Sequence, residues 1–212
     1  MKRLLFVLLA SLTTAALFGQ HETLFSKSRV IGGFGGPLLE FGNIKGEMAT
    51  SVGGGGGVII DNFFIGAYGL GSVRNLRYNI NNEDFKMDLA HGGLWMGYTP
   101  QTFKMVHPYT SLRVGWGFAE IRNDPFQSGD PFYNRNTNGD AVFVLTPEVG
   151  VELNLTRFFR ISGSIGYRWV NDVDQLVDFN NNDFRSVTGQ LTFRFGWFGR
   201  KNAGHSIDNI EG

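Results

Sequence analysis

The 212 residues contain no cysteine, which excludes a disulfide framework, a lipidated-cysteine anchor and any thiolate-bound zinc. Histidine is scarce too: His21, His91, His107 and His205 are scattered without ligand spacing, so neither a metal ion nor any other cofactor is expected. Neither sign of charge is in excess, with 19 Lys and Arg against 19 Asp and Glu, and nothing electrostatic points to nucleic acid. After residue 20 no stretch is long and apolar enough for a transmembrane helix. The glycine run 53–57 lacks the following Lys-Ser/Thr of a phosphate loop and sits within a strand pattern. The stretch 171–184 carries Asp172, Asp174, Asp178 and Asp183 but not the glycine and distal Glu of a calcium loop. It reads as a solvated connection.

What is present begins with a targeting pattern. Lys2 and Arg3 precede an apolar stretch over 4–17, and small Gly19 offers a cleavage point before Gln20. That is a secretory signal peptide over residues 1–19, too short for a retained membrane span. The remainder suits one domain over 20–198, followed by a polar tail over 199–212.

The domain alternates. In the last segment Val187, Gly189, Leu191, Phe193, Phe195 and Trp197 share one face, and Ser186, Thr188, Gln190, Thr192, Arg194 and Gly196 the other. A period of two means an extended strand with one apolar and one polar side, here long enough to cross a bilayer at a tilt. Seven further segments repeat the theme, giving eight at about 29–41, 50–60, 63–73, 87–98, 109–121, 142–155, 159–170 and 185–198. Glycine blurs the register of the first four. Tight joins at 61–62, 100–107 and 156–158 alternate with polar connections at 74–86, 123–141 and 171–184, and the modest 43–49 falls on the long side. Short periplasmic turns and longer outer loops are the asymmetry of an outer-membrane barrel. An even strand count then places both termini in the periplasm.

A soluble barrel would turn the same apolar face inward. Two features favour lipid outside. The polar face carries Gly115, Gly117, Gly150, Gly166 and Gly196, as a narrow lumen requires between large inward residues. The apolar face ends in aromatics, Phe159 and Trp169 on one strand and Phe195 and Trp197 on another, as an interfacial girdle does. Because only closed barrels or helices satisfy the backbone in lipid, the expected fold is an eight-stranded antiparallel up-and-down transmembrane β-barrel.

Gly92-Gly93-Leu94-Trp95-Met96-Gly97-Tyr98, Val106-His107-Pro108-Tyr109 and Pro147-Glu148-Val149-Gly150-Val151-Glu152-Leu153-Asn154-Leu155 carry a likeness, continued by Arg160-Ile161-Ser162 and Gly166-Tyr167-Arg168. The chain resembles small eight-stranded outer-membrane β-barrel proteins of the OmpA/opacity-like type, particularly those of Bacteroidota. The resemblance implies the cell outer membrane and prescribes no activity. One departure is visible: many such chains end at a terminal aromatic, whereas Phe198 is followed by polar residues.

The expected lumen residues are Arg113, Glu148, Glu152, Arg160, Arg168 and Arg194, with Asp88, His91 and Glu40 as further candidates. Isolated buried charges are costly, so these should pair. A self-neutralising plug is favoured over a gated path for ions or small solutes, because eight strands leave room for little more than side chains. A lipid-modifying enzyme needs a base beside a nucleophile at a lipid-accessible rim, and neither His91, at mid-strand, nor His107, in an expected periplasmic turn, offers one. No catalytic residue is assigned. The expected partners are outer-membrane lipid, lipopolysaccharide and another envelope protein, with Phe126, Phe132 and Tyr133 of the longest outer connection as contact residues.

Overall fold

Among the described residues, alternation carries the chain into nine antiparallel strand segments: β1 Val30–Ile44, β2 Glu47–Ile60, β3 Phe63–Ser72, β4 Leu76–Ile80, β5 Glu83–Tyr98, β6 Val106–Asn123, β7 Asn138–Asn154, β8 Phe159–Asn171 and β9 Ser186–Trp197. A computed structural model describes residues 30–73, 76–80, 83–123, 138–174, 176 and 179–199. The expected signal segment, nearly all of the expected tail, and Phe126, Phe132 and Tyr133 lie outside the described residues. β1 pairs with β9 and β3 with β5, so the sheet closes on itself. β3 and β4 both pair with β5, at its two ends, and make one interrupted stave. The result is the expected closed eight-stranded antiparallel barrel.

Two connections are shorter than hydropathy suggests. β1 and β2 stay paired up to Ile44 and Glu47, which leaves only Lys45-Gly46 as the turn. Both residues have positive φ, 47° and 88°, the hairpin geometry that matches strand twist and that Gly46 adopts without strain. Within 74–86, β4 pairs with β5 as a hairpin extension. Ladder pairing satisfies polar segments as well as water does, so polarity alone did not mark it.

The two faces of the sheet have opposite chemistry. Trp116, Phe118, Val149, Ile165, Val187 and Trp197 are 65–69% exposed, whereas Arg113, Glu152, Arg168 and Arg194 are at most 2% exposed. This is the reverse of a soluble barrel. Two apolar layers cross the lumen. One joins Met87, Leu89, Val142 and Val144 to Val173, Leu176, Phe179 and Phe184 from the β8–β9 connection. The other, at the end holding both described chain ends, contains Phe34, Leu38, Phe64, Trp95, Tyr109 and Phe198.

The connection 171–184 is therefore not the solvated loop expected. It ends in a short helix, α1 Asn181–Phe184, with a capping box between Asn180 and Asp183. The Asp140 carboxylate accepts the backbone N–H groups of Asp174 at 2.9 Å and Leu176 at 3.1 Å. These bonds hold the apolar residues of the connection down over the lumen.

In the first staves several apolar residues face inward, and glycine makes the room. A Cβ at Gly55 would stand 3.2 Å from both Leu38 Cδ1 and Trp95 Cε3 and 2.9 Å from the Ala67 carbonyl oxygen. At Gly69, on the outer face, a Cβ would meet nothing within 4 Å. Gly55→Val is accordingly expected to cost about 1–3 kcal/mol by overpacking, while Gly69→Ala is expected to be neutral or to gain up to about 1 kcal/mol. Urea unfolding followed by tryptophan fluorescence distinguishes them; equal effects would contradict the packing assigned to Gly55.

Candidate functional site: the charged lumen

All six residues expected in the lumen, Arg113, Glu148, Glu152, Arg160, Arg168 and Arg194, are buried there, and Glu40 joins them. They form two clusters. In the first, Glu40 on β1 accepts from Arg113 on β6 through Oε2 and from Arg168 on β8 through Oε1, the latter at 2.9 Å. Arg113 Nη2 also donates to Glu148 Oε1 on β7 at 2.7 Å. Arg168 further donates to the carbonyls of Phe184, at 3.1 Å, and Asn43, at 3.0 Å. It thereby ties the lumen cluster to α1 and to the β1–β2 hairpin. Glu148 Oε2 accepts from Ser111 Oγ at 2.6 Å, which accepts from the Tyr109 hydroxyl at 2.8 Å.

The second cluster centres on Glu152. Its Oε1 accepts from Arg160 Nη1 at 2.7 Å and lies 3.2 Å from His107 Nε2; its Oε2 accepts from Arg194 Nη1 at 2.7 Å. The Arg194 guanidinium is ringed by Tyr109, Phe34, Phe64 and Trp95, with Cζ 4.4, 4.7, 4.9 and 5.0 Å from the respective centroids. Arg160 lies 3.9 Å over the ring of Phe198. Cation–π contact gives a buried cation an electrostatic partner that carries no charge of its own.

Two expectations are corrected. Asp88 stands between the inward Met87 and Leu89, opposite Glu120 of β6, and so belongs to the outer face. His107 is not in a turn but inside the lumen on β6, 1% exposed, because β6 starts at Val106. Phe34, Phe64, Trp95 and Tyr109 also line the lumen. The signal for His107, Tyr109 and Ser111 was their shared parity with Arg113. His91 is buried with Nδ1 3.1 Å from the Tyr68 hydroxyl. No group of three His, Cys, Asp or Glu able to hold a metal ion occurs among the described residues.

Fold and lumen together define a class, the small eight-stranded β-barrel with a filled interior. No protein-family model matches the chain, and no curated protein matches it significantly. Among solved structures the chain is similar to Neisserial surface protein A, with a TM-score of 0.50 and 13% identity over 81% of this chain and 99% of that one. It is also similar to the N-terminal β-barrel domain of Pseudomonas aeruginosa OprF, with a TM-score of 0.48 and 13% identity over 81% and 100%. A third is Ail, the attachment invasion locus protein of Yersinia pestis, in complex with the heparin analogue sucrose octasulfate, at 0.47 and 13% over 78% and 97%. These neighbours are small eight-stranded outer-membrane barrels; at such identity the likeness is one of fold.

Removing Glu40 leaves two guanidiniums short of a buried counter-charge. Glu40→Leu is expected to cost roughly 3–5 kcal/mol, and Glu40→Leu with Arg168→Met less than Glu40→Leu alone, because the second change removes an orphaned charge. Unfolding free energies in urea test this; additive losses would contradict the pairing.

Proposed function

We propose that the protein is an integral outer-membrane β-barrel, exported by the segment 1–19, with a structural or interaction role rather than an enzymatic one. The observation that carries this reading is the polarity of the sheet: large apolar side chains outside, paired charges inside. An apolar belt around a whole barrel is stable only against lipid. Aromatics sit near both rims, with Phe63 against Tyr98 and Phe159 against Phe195 at one end, and Tyr167 against Trp169 at the other.

The short turn Asp61-Asn62 lies at the end that holds both described chain ends, which this reading places in the periplasm. The α1 end then faces outward, and its connections meet lipopolysaccharide and another envelope protein through Phe126, Phe132 and Tyr133. The likeness to Bacteroidota barrels fits this picture. Passage of ions or small solutes would require both apolar layers and both ion-pair clusters to part, so a closed lumen is the better-supported state.

Two measurements test the reading. The protein is expected in the outer-membrane fraction, with unboiled and boiled samples migrating differently on a gel, and without reproducible conductance in planar bilayers. Recovery from the soluble periplasm sinks the membrane assignment; steady unitary currents sink the plug. Leu191, on the outer face of β9, provides a residue-level check. Leu191→Arg is expected to cost about 2–4 kcal/mol at the bilayer midplane and to lower the yield of folding into lipid vesicles, whereas Leu191→Phe should fold as the parent does.

A further inference from the structure

At one end of the lumen the charges of the described residues do not balance. Arg160 and Arg194 both bond Glu152, and the next carboxylate along β7, Glu148, is already bonded by Arg113 and Ser111. Two guanidiniums on one carboxylate leave a positive charge over, before His107 is counted. Asp61 borders the same space but is exposed, where water and salt screen it. Arg194 is 2% exposed, yet its Nε and Nη2 have no hydrogen-bond partner among the described residues. The surrounding rings offer π faces to the cation but no lone-pair acceptor for these N–H groups. Beside Arg194 lies a cavity of about 20 Å³ bordered by Arg160, Glu152, Thr99, Thr102 and Phe198. A space of that size holds one water-sized particle.

We propose that this cavity binds a single small anion of the halide class, the counter-ion of the Arg160–Arg194 pair. A halide supplies the charge that the cluster lacks, accepts several N–H and O–H donors at once, and is only slightly larger than water. Thr99 and Thr102 bring hydroxyl donors to the same space. Phe198, lying against Arg160, borders it, and the aromatic rings around Arg194 lower the local dielectric and strengthen the contacts inside. Sulfate and gluconate are too large to enter.

The test uses the full mature chain in detergent. Crystals soaked in sodium bromide should show an anomalous peak in the cavity within hydrogen-bond reach of Arg194. At equal ionic strength, thermal unfolding should occur a few degrees higher in chloride than in gluconate, because an ion bound only by the folded state stabilises it. Arg160→Gln removes the surplus charge and should abolish that difference. If this variant does not fold, the bromide map on the parent protein decides alone. Absence of bromide from the cavity, together with identical unfolding in the two salts, shows that the space holds water only and overturns the proposal. A bromide peak confined to surface arginines is an adventitious ion only and overturns it as well.

Discussion

An eight-stranded barrel has a lumen only as wide as the side chains that fill it, and this one turns arginine and glutamate into it. Each of those charges needs its counter-charge within a few ångströms, because a lone ion there costs several kcal/mol, a large share of the stability of a typical domain. Glu40 meets that demand from β1, reaching Arg113 on β6 and Arg168 on β8. The contact therefore joins staves far apart around the barrel wall. Closure by β1 against β9 and neutralisation across the lumen are satisfied by one arrangement, and a register slip of one residue in β1 would destroy both.

The same constraint shapes the ends. Arg168 spends its remaining donors on the Phe184 and Asn43 carbonyls, so the connection that lids the lumen is fastened from beneath by the network that it covers. At the opposite end Arg194 lies among aromatic rings, with Phe198 packed against Phe34 at 6.4 Å. The interior reads as an apolar layer, the Glu40 cluster, and an end in which aromatic rings surround the Glu152 cluster. That order excludes bulk water from the ion pairs and strengthens them. It also makes a passive conduit unfavourable, since each layer would have to open in turn.

How much of this was legible in the sequence depended on which stave is considered. In β7 and β9 apolar side chains point to lipid and polar ones inward, so alternation alone placed Glu148, Glu152 and Arg194. In β1, β3 and β5 the inward face is itself partly aromatic, with Phe34, Phe64 and Trp95, and the outward face is thinned by glycine. Hydropathy then no longer distinguishes the faces. Packing of Trp95 against the space left by Gly55 does, but it involves residues forty positions apart and leaves no local trace. The connection 171–184 misled for a similar reason: its Asn and Asp residues suggested water, whereas Val173, Leu176, Phe179 and Phe184 set its burial. Its polar residues Asn180 and Asp183 cap α1, and Asp172, Asp174 and Asn182 face solvent above the buried apolar ones.

The central claim is that the charged face is interior and the apolar face meets lipid. The four tryptophans offer a direct measurement of it. Trp95 is fully buried in the lumen, whereas Trp116 and Trp197 are each 65% exposed on the outer wall. Variants keeping one tryptophan, with the others changed to Phe, can be folded into vesicles of chain-brominated phospholipid. Fluorescence of Trp116 and Trp197 should be strongly quenched and that of Trp95 left nearly unchanged. Quenching of Trp95 with Trp116 unaffected would mean that the barrel faces lipid with the opposite side of its sheet, and would contradict the account.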